Sequence, residues 1–117
     1  MPSAFDDPER DLTAAEVAKI MAAGDLQLVD VREPYEREAG YIAGSVHIEL
    51  EHLASRAPTL NSDLPIVFYC RLGARSAMAT QAFRAAGFDA RNMAGGIAAW
   101  AASGLPVAPD GGTVANH

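Results

Sequence analysis

The sequence predicts an α/β fold in which five strands form a mostly parallel sheet with helices on both faces. Two observations support this prediction. Short apolar runs recur along the chain, and segments that can form helices lie between them. Strands that alternate with helices build a parallel sheet, because each helix carries the chain back across a face of the sheet before the next strand begins.

The first helix is expected in the segment LTAAEVAKIMAAG, which ends at Gly24. Thr13 suits the N-cap position, and Glu16 completes a capping box with it. Leu12 is expected to pack on Val17 as a hydrophobic staple, and Gly24 is the residue type that follows a helix end. The apolar face of this helix consists of Val17, Ile20 and Met21.

The next elements are marked by apolar runs and by helix stop signals. Three apolar runs are expected to be strands, at residues 28–31, 46–48 and 66–69. The segment RSAMATQAFRAAG predicts a helix that ends near Gly87, and ARNM predicts the last strand. The segment GIAAWAASG predicts a final helix, stopped by Gly104 and Pro106, with Trp100 as a core aromatic.

The length and composition favour one domain. The chain has 117 residues, of which 50% are hydrophobic, so one compact core can form. We expect the domain to span residues 11–108. Residues 1–10 are polar and contain two prolines, residues 109–117 are rich in glycine and small side chains, and both segments are predicted to be flexible tails.

The cysteine content and the net charge exclude several classes of protein. Cys70 is the sole cysteine and cannot form a disulfide within the chain, and no apolar run approaches the roughly 20 residues of a membrane span. The start MPSAFDDPER lacks the pattern of a signal peptide, so we expect a soluble, cytoplasmic protein. A formal net charge of −6 argues against nucleic-acid and membrane partners, which require accumulated Lys and Arg.

The charge is unevenly distributed along the chain. No acidic residue lies between Asp63 and Asp89, whereas Arg71, Arg75 and Arg84 all fall in this segment. An acidic protein therefore has one basic segment, and it surrounds the sole thiol.

Cys70 directly follows IVFY, a run that is apolar at every position, as in a strand buried on both faces. Ligands of open α/β sheets bind at the carboxyl ends of such strands. The N–H groups of the loop that follows, and of a helix beginning near Ser76, can converge into an anion-binding nest. This nest, with Arg71 and Arg75, should lower the pKa of the thiol below about 8.5 and make Cys70 a nucleophile.

Each of these residues also has a purely structural interpretation. A lone cysteine beside an apolar strand is usually a small buried hydrophobe, but the turn, the arginines and the helix start favour a reactive thiol. Gly73 is expected to adopt a positive φ or to let the backbone approach a ligand, and the alternative is an ordinary turn glycine. Arg71 and Arg75 can bind an anion, or they can form a solvated face or a helix-side salt bridge.

Three segments resemble the rhodanese family of sulfurtransferases, which carry sulfur as a cysteine persulfide. The segment LVDVREPYEREAGYIAGSVHIEL is similar to the first family signature, YCRLGARSA to the active-site loop, and MAGGIAAWAASGLPV to the closing stretch. The likeness covers nearly all of residues 11–107. It departs at Tyr41 and Ala43, where histidine and proline are frequent, in a turn away from the thiol.

The resemblance implies a covalent reaction in two steps. The thiolate of Cys70 attacks the sulfane sulfur of a donor such as thiosulfate, and a thiol or cyanide then takes that sulfur from the persulfide. The resemblance implies that the donor is a small anion and that no metal or organic cofactor is required. The loop residues expected to bind the substrate are Arg71, Leu72, Gly73, Ala74, Arg75 and Ser76.

Three alternative functions remain open at this stage. A sulfur carrier would use the same thiol but would deliver the sulfur to a partner protein of a relay. A thiol phosphatase or arsenate reductase needs a wider loop, since Cys70 and Arg75 have four residues between them where the related phosphatases have five. A redox or regulatory binding module would not turn over.

Other polar residues near predicted strand ends receive weaker assignments. Asp30 and Arg32 end a strand on the thiol's edge of the sheet, where Arg32 could help bind substrate, but a structural pair that fixes the loop is favoured. His47, His52 and His117 provide no close pair of metal ligands and no second cysteine, so no zinc site is expected.

Overall fold

A computed structural model describes residue 7 and residues 9–116. The other residues of the expected tails, 1–6, 8 and 117, lie outside the described residues. The helices are α1 (Ala14–Ala22), α2 (Pro34–Ala39), α3 (Leu53–Arg56), α4 (Ala74–Ala85) and α5 (Gly96–Ala102). The strands are β1 (Gln27–Asp30), β2 (Val46–His47), β3 (Ile66–Tyr69) and β4 (Ala90–Asn92).

The strands form one sheet in the order β2-β1-β3-β4, and each neighbouring pair is parallel. The prediction of five strands is wrong, because the sheet that the described residues form has four. Leu12 comes nearest to a fifth strand, through an isolated parallel bridge to Met93. The pairing stops there because the next residue, Thr13, caps α1 and turns the chain into a helix.

The start of α1 is the predicted capping box. The Thr13 hydroxyl accepts a hydrogen bond from the Glu16 N–H (3.1 Å), and the Glu16 carboxylate accepts one from the Thr13 N–H (2.9 Å). Arg10 donates two further bonds to Glu16, and these bonds, with that from Thr13, lower the pKa of the carboxyl to about 2. Leu12 and Val17, the predicted staple pair, are both fully buried in one core cluster.

Helices cover both faces of the sheet, as predicted, and β3 shows why. Its side chains alternate between the two faces, so Val67 and Tyr69 enter one core while Ile66 and Phe68 enter the other. The first core includes side chains of α1 and α5, and the second includes side chains of α3 and α4. Trp100 is buried in the first core, as predicted, and its indole N–H donates to the Pro106 carbonyl (2.7 Å).

Part of the predicted C-terminal tail contacts the domain. The Thr113 N–H donates to the Ala39 carbonyl at the end of α2 (2.9 Å), and just before the tail Ala108 forms an antiparallel bridge with Tyr41. The flexibility expected of residues 109–117 remains a prediction. Within the part of the chain that is described, no helix has the length and apolar character required to span a bilayer.

Candidate active site

Cys70 lies directly after β3, at the carboxyl edge of the sheet. Its carbonyl oxygen accepts a hydrogen bond from the Ile97 N–H (2.9 Å), and that of Arg71 accepts one from the Ala98 N–H (3.1 Å). These two bonds anchor the loop after β3 against the first turn of α5. The loop encloses a cavity of about 280 Å³, lined by Cys70, Arg71, Leu72, Ala74 and Arg75.

The loop directs hydrogen-bond donors at the thiol sulfur. The Gly73 N–H donates to the Cys70 Sγ (3.1 Å), and the Ser76 hydroxyl lies 3.4 Å from the same atom. Gly73 has a φ of +114°, a conformation in which L side chains are strained, so glycine is required there to aim this N–H. The positive φ expected of Gly73 is thus observed, and α4 begins at Ala74, slightly before the predicted start.

The surroundings of Cys70 have opposing effects on its pKa. Burial raises the pKa of the thiol, but hydrogen bonds from the Ser76 side chain and from the N–H groups of Ser76, Gly73 and Leu72 outweigh burial and lower it. The Cys70 residue is only 2% exposed, as the structural interpretation expects. A filler residue needs no such donors, however, and a sulfur that receives several is arranged to carry negative charge.

Arg75 is bound to a carboxylate that the sequence analysis overlooked. Its Nη1 donates to Glu36 Oε1 (2.7 Å) and its Nη2 to Glu36 Oε2 (2.9 Å), while Oε1 also accepts from the Glu33 N–H (3.0 Å). Glu36 is fully buried; burial raises the pKa of its carboxyl, but the hydrogen bonds from Arg75 and the Glu33 N–H, with the charges of Arg75 and Arg32, together outweigh burial and lower the pKa. The pair is the salt bridge weighed as an alternative for Arg75, so anion binding by Arg75 remains a proposal.

Arg71 has more capacity to bind an anion. Its Nη2 donates to the Asn116 Oδ1 (3.2 Å), and its buried Nε has no hydrogen-bond partner among the described residues. The Asn116 carbonyl in turn accepts a bond from the Tyr35 hydroxyl (3.3 Å). A segment from the predicted tail therefore reaches the rim of the Cys70 cavity.

Asp30 and Arg32 form a fully buried pair. The Arg32 Nε and Nη2 donate to the two carboxylate oxygens of Asp30 (both 2.9 Å), and Nη2 also donates to the Gly40 carbonyl (2.7 Å). Burial lowers the pKa of Arg32, but the hydrogen bonds to Asp30 and the negative charges around the guanidinium together outweigh burial and raise the pKa. The pair ties the loop after β1 to the end of α2, which is the structural role favoured for it, and neither residue lines the Cys70 cavity.

Asn92, at the end of β4, is the second site residue that the sequence analysis overlooked. Its Oδ1 accepts a hydrogen bond from the Ser76 hydroxyl (2.6 Å) behind the thiol. A buried carboxylate and a buried amide are recognisable signs of a polar site, because such groups need hydrogen-bond partners. Their burial, however, is invisible in the sequence: Glu36 lies in a charged segment, and Asn92 follows an arginine.

Neither His47 nor His52 lines the thiol cavity. The His47 Nε2 is 2.7 Å from the Arg32 carbonyl oxygen. His52 lies on the surface with Glu49 and Glu51, and one ligand atom from each falls within 4.8 Å of the others. His117 is outside the described residues, and the expectation of no zinc site remains a prediction.

The Rhodanese-like domain family matches residues 13–103. The chain belongs to this family. The rhodanese-like chain is 39% identical over 89 residues to a sulfurtransferase of Allochromatium vinosum, covering 74% of this chain and 83% of that protein. It is also 34% identical over 101 residues to the human thiosulfate:glutathione sulfurtransferase, covering 73% and 87%.

Two further comparisons concern the fold and the length of this rhodanese-like chain. A rhodanese-related protein of Thermoplasma volcanium superposes with a TM-score of 0.78 at 32% identity, covering 84% of this chain and 96% of that one. The HTH-type transcriptional regulator Rv0324 of Mycobacterium tuberculosis is 40% identical over 113 residues, and the chain spans 49% of its length. Relatives named as sulfurtransferases and as sulfur carriers support a sulfur-transfer role and a partner of the sulfur-relay kind.

Proposed function

We propose that this protein transfers a sulfane sulfur from a small anionic donor, such as thiosulfate, to a thiol or cyanide through a persulfide on Cys70. The observation that carries the proposal is the convergence of loop N–H donors on the Cys70 Sγ, in a residue that lines the loop cavity. Those donors stabilise negative charge on the attacking thiolate and on the persulfide that it forms.

The first step forms one S–S bond and breaks another. The Cys70 thiolate attacks the outer sulfur of thiosulfate, and the bond between the two donor sulfurs breaks. Its electron pair leaves with sulfite, and an anionic persulfide remains on the cysteine. The loop N–H groups that donate to the Cys70 Sγ are fixed by the backbone, so they can stabilise the charge of the persulfide without rearranging.

The second step regenerates the enzyme. A thiolate or cyanide attacks the outer sulfur of the persulfide, and the bond to Cys70 breaks with its electron pair on Sγ. The products are a new persulfide or thiocyanate and the original thiolate, so neither an oxidant nor a cofactor is consumed. Arg71 is the guanidinium best placed to bind the donor's sulfonate end, because its Nε lacks a partner among the described residues.

The direct test is mass spectrometry of the intact protein after incubation with thiosulfate. We expect the wild type to gain one sulfur atom that a reducing agent removes, and Cys70→Ser to gain none. Thiocyanate formation from thiosulfate and cyanide should disappear in the same variant. Turnover by Cys70→Ser at a rate comparable to that of the wild type would contradict the proposal.

A second candidate is a carrier that delivers the Cys70 sulfur to a partner protein. Leu72 on the loop and Met78 on α4 are large apolar side chains with 60% and 62% of their surface exposed. Met78 also borders an apolar cavity of about 470 Å³ between α3 and α4. A protein acceptor could bind this surface, and such a carrier would load from thiosulfate but release sulfur faster to a protein thiol than to cyanide.

A further inference from the structure

The Ser76 hydroxyl, which is fully buried, has more acceptors around it than protons to donate. Its Oγ lies 2.6 Å from the Asn92 Oδ1, 3.2 Å from the Gly73 carbonyl oxygen and 3.4 Å from the Cys70 Sγ. A serine hydroxyl carries one hydrogen, so these three atoms compete for it. The shortest contact is with Asn92, and that amide oxygen therefore competes best.

The orientation of the Asn92 amide follows from its other neighbours. Its Nδ2 lies 3.2 Å from the Asp11 Oδ2 and 3.4 Å from the Gly73 carbonyl oxygen, both of which are acceptors. Reversing the amide would place Oδ1 against those two oxygens, which cannot donate to it, and the amide N–H groups would lose both acceptors. Asp11 and Gly73 thus keep Oδ1 turned toward Ser76, on a side chain that is itself 5% exposed.

We propose that Asn92 is a positioning residue for sulfur transfer: held by Asp11, it draws the Ser76 proton away from the Cys70 sulfur and so keeps the thiolate nucleophilic. The inference rests on the proposed function, because it takes Cys70 as the reacting thiol. A thiolate that accepts one hydrogen bond fewer binds its electrons less tightly and attacks faster. When charge moves to the outer sulfur, the loop N–H groups still support the persulfide.

The charged groups around the thiol stay the same when Asn92 is replaced. Arg71 on the loop and Arg75 at the start of α4 line the cavity. Arg75 carries the Glu36 carboxylate from α2, and Asp11 lies behind Asn92. The effect of removing the amide therefore reports on the Ser76 proton.

The test measures the rate of alkylation of the folded protein by iodoacetamide as a function of pH. In Asn92→Ala, the Ser76 proton becomes available to the thiolate. The pH at which alkylation reaches half its limiting rate, the midpoint, should therefore fall by about one pH unit, the effect of one hydrogen bond to a charged group. The limiting rate at high pH should fall about threefold, since nucleophilicity decreases with thiol pKa. In Ser76→Ala, only the long 3.4 Å contact of the hydroxyl with the sulfur is lost, so the midpoint should rise by less than it falls in Asn92→Ala.

The double variant separates this role from a structural one. If Asn92 acts through Ser76, replacing Asn92 in the Ser76→Ala background should leave the midpoint and the limiting rate unchanged. An equal shift in both backgrounds, or no shift in Asn92→Ala, would overturn the proposal. Asn61→Ala, at an exposed asparagine whose Oδ1 accepts from the Asp63 N–H, is the matched control and should behave as the wild type.

Asp11→Ala provides a second test that does not alter the core, because Asp11 is exposed. Without Asp11 the Asn92 amide is held less firmly, so the midpoint should fall, as in Asn92→Ala. Part of that fall should disappear in the Ser76→Ala background. A shift of the same size in both backgrounds would be a simple charge effect and would contradict the proposal. Alkylation needs no sulfur donor, so a failure of thiosulfate to load Cys70 would refute the proposed function separately.

Discussion

The two arginines of the loop have different surroundings. Both terminal nitrogens of Arg75 donate to Glu36, whereas Arg71 makes one side-chain bond, to Asn116, and has a free Nε among the described residues. A guanidinium that already binds a carboxylate in a bidentate manner has little capacity left for a second anion. The two arginines therefore differ in the hydrogen-bonding capacity that they have left for an anion, although they lie four positions apart in the same segment.

Replacing these arginines one at a time should separate their roles. In Arg71→Ala we expect KM for thiosulfate to rise by about tenfold to a hundredfold, equivalent to the roughly 1.4–3 kcal/mol of a charge-assisted hydrogen bond. In Arg75→Ala we expect a smaller change in KM and a lower Tm, because a buried carboxylate loses its partner. Steady-state kinetics at low and high salt provide the measurement, and added salt should raise the wild-type KM. Equal, salt-independent KM values for all three proteins would favour the carrier.

At the scale of elements, the Glu36–Arg75 pair joins α2 to α4 and so holds the segment that follows β3 against the segment that follows β1. Glu36→Gln should lower the free energy of unfolding by about 3 kcal/mol, toward the lower end for a broken buried pair, because the Arg75 side chain keeps 19% of its surface exposed. Chemical denaturation at pH 7 provides the measurement. Glu38→Gln, on the exposed side of α2, is the control and should change stability by less than about 0.5 kcal/mol.

The same pair predicts how stability depends on pH. Folding lowers the pKa of Glu36, so its contribution is complete above the unfolded value of about 4.3 and is lost as the pH falls through the folded value. The difference in unfolding free energy between wild type and Glu36→Gln should therefore be constant near neutral pH and decrease below about pH 4. A difference that stays constant down to pH 2 would show that Glu36 acts without its charge.

The contact between α5 and the loop after β3 depends on Gly96. A Cβ at this position would overlap the carbonyl oxygens of Cys70 and Arg71, and its φ is +60°. Gly104 also has a positive φ, +80°, but a Cβ there would meet no atom within 4 Å. The two glycines therefore share backbone strain and differ in steric contact.

Alanine substitutions at these glycines should have unequal costs. Gly104→Ala should lower stability by about 1 kcal/mol through strain alone, and Gly96→Ala by at least about 3 kcal/mol, because strain and overlap add. Thermal unfolding measures both, and Gly96→Ala should also slow alkylation of Cys70 by displacing the loop. Similar Tm values for the two variants would show that the loop moves aside without cost.

At the scale of the whole molecule, two cores share one sheet. The strands β1 and β3 each contribute side chains to both faces of the sheet. Neither core can therefore be exposed without loosening the strands that support the other. Such an arrangement favours a single cooperative unfolding transition. Trp100, the sole tryptophan, reports on the first core, and far-ultraviolet circular dichroism reports on all helices and strands.

Denaturant unfolding followed by both signals tests this cooperativity. We expect the transitions from Trp100 fluorescence and from circular dichroism to coincide in midpoint and slope. Separate midpoints would show that the core containing α1 and α5 opens before the one containing α3 and α4. In that case, the loop after β3, which is hydrogen-bonded to α5, would lose those hydrogen bonds before global unfolding.

The sequence by itself determined the features that depend on neighbouring residues. The Thr13–Glu16 capping box, the run that forms β3, the position of Cys70 after it and the positive φ of Gly73 were all predictable, because each is dictated by side chains within a few positions. The tertiary structure alone decided which distant groups meet. Arg75 pairs with Glu36, 39 positions away, and Ser76 with Asn92, 16 positions away.

The number of strands is also a feature that only the tertiary structure decided. Leu12 contacts Met93 at the sheet edge, but whether such a segment pairs as a strand is settled by competition with the helix cap that follows it. Periodicity and capping express local free energies, which the sequence displays directly. Partners across the sheet depend on how the packed elements bring buried polar groups within reach, and only the folded chain sets those distances.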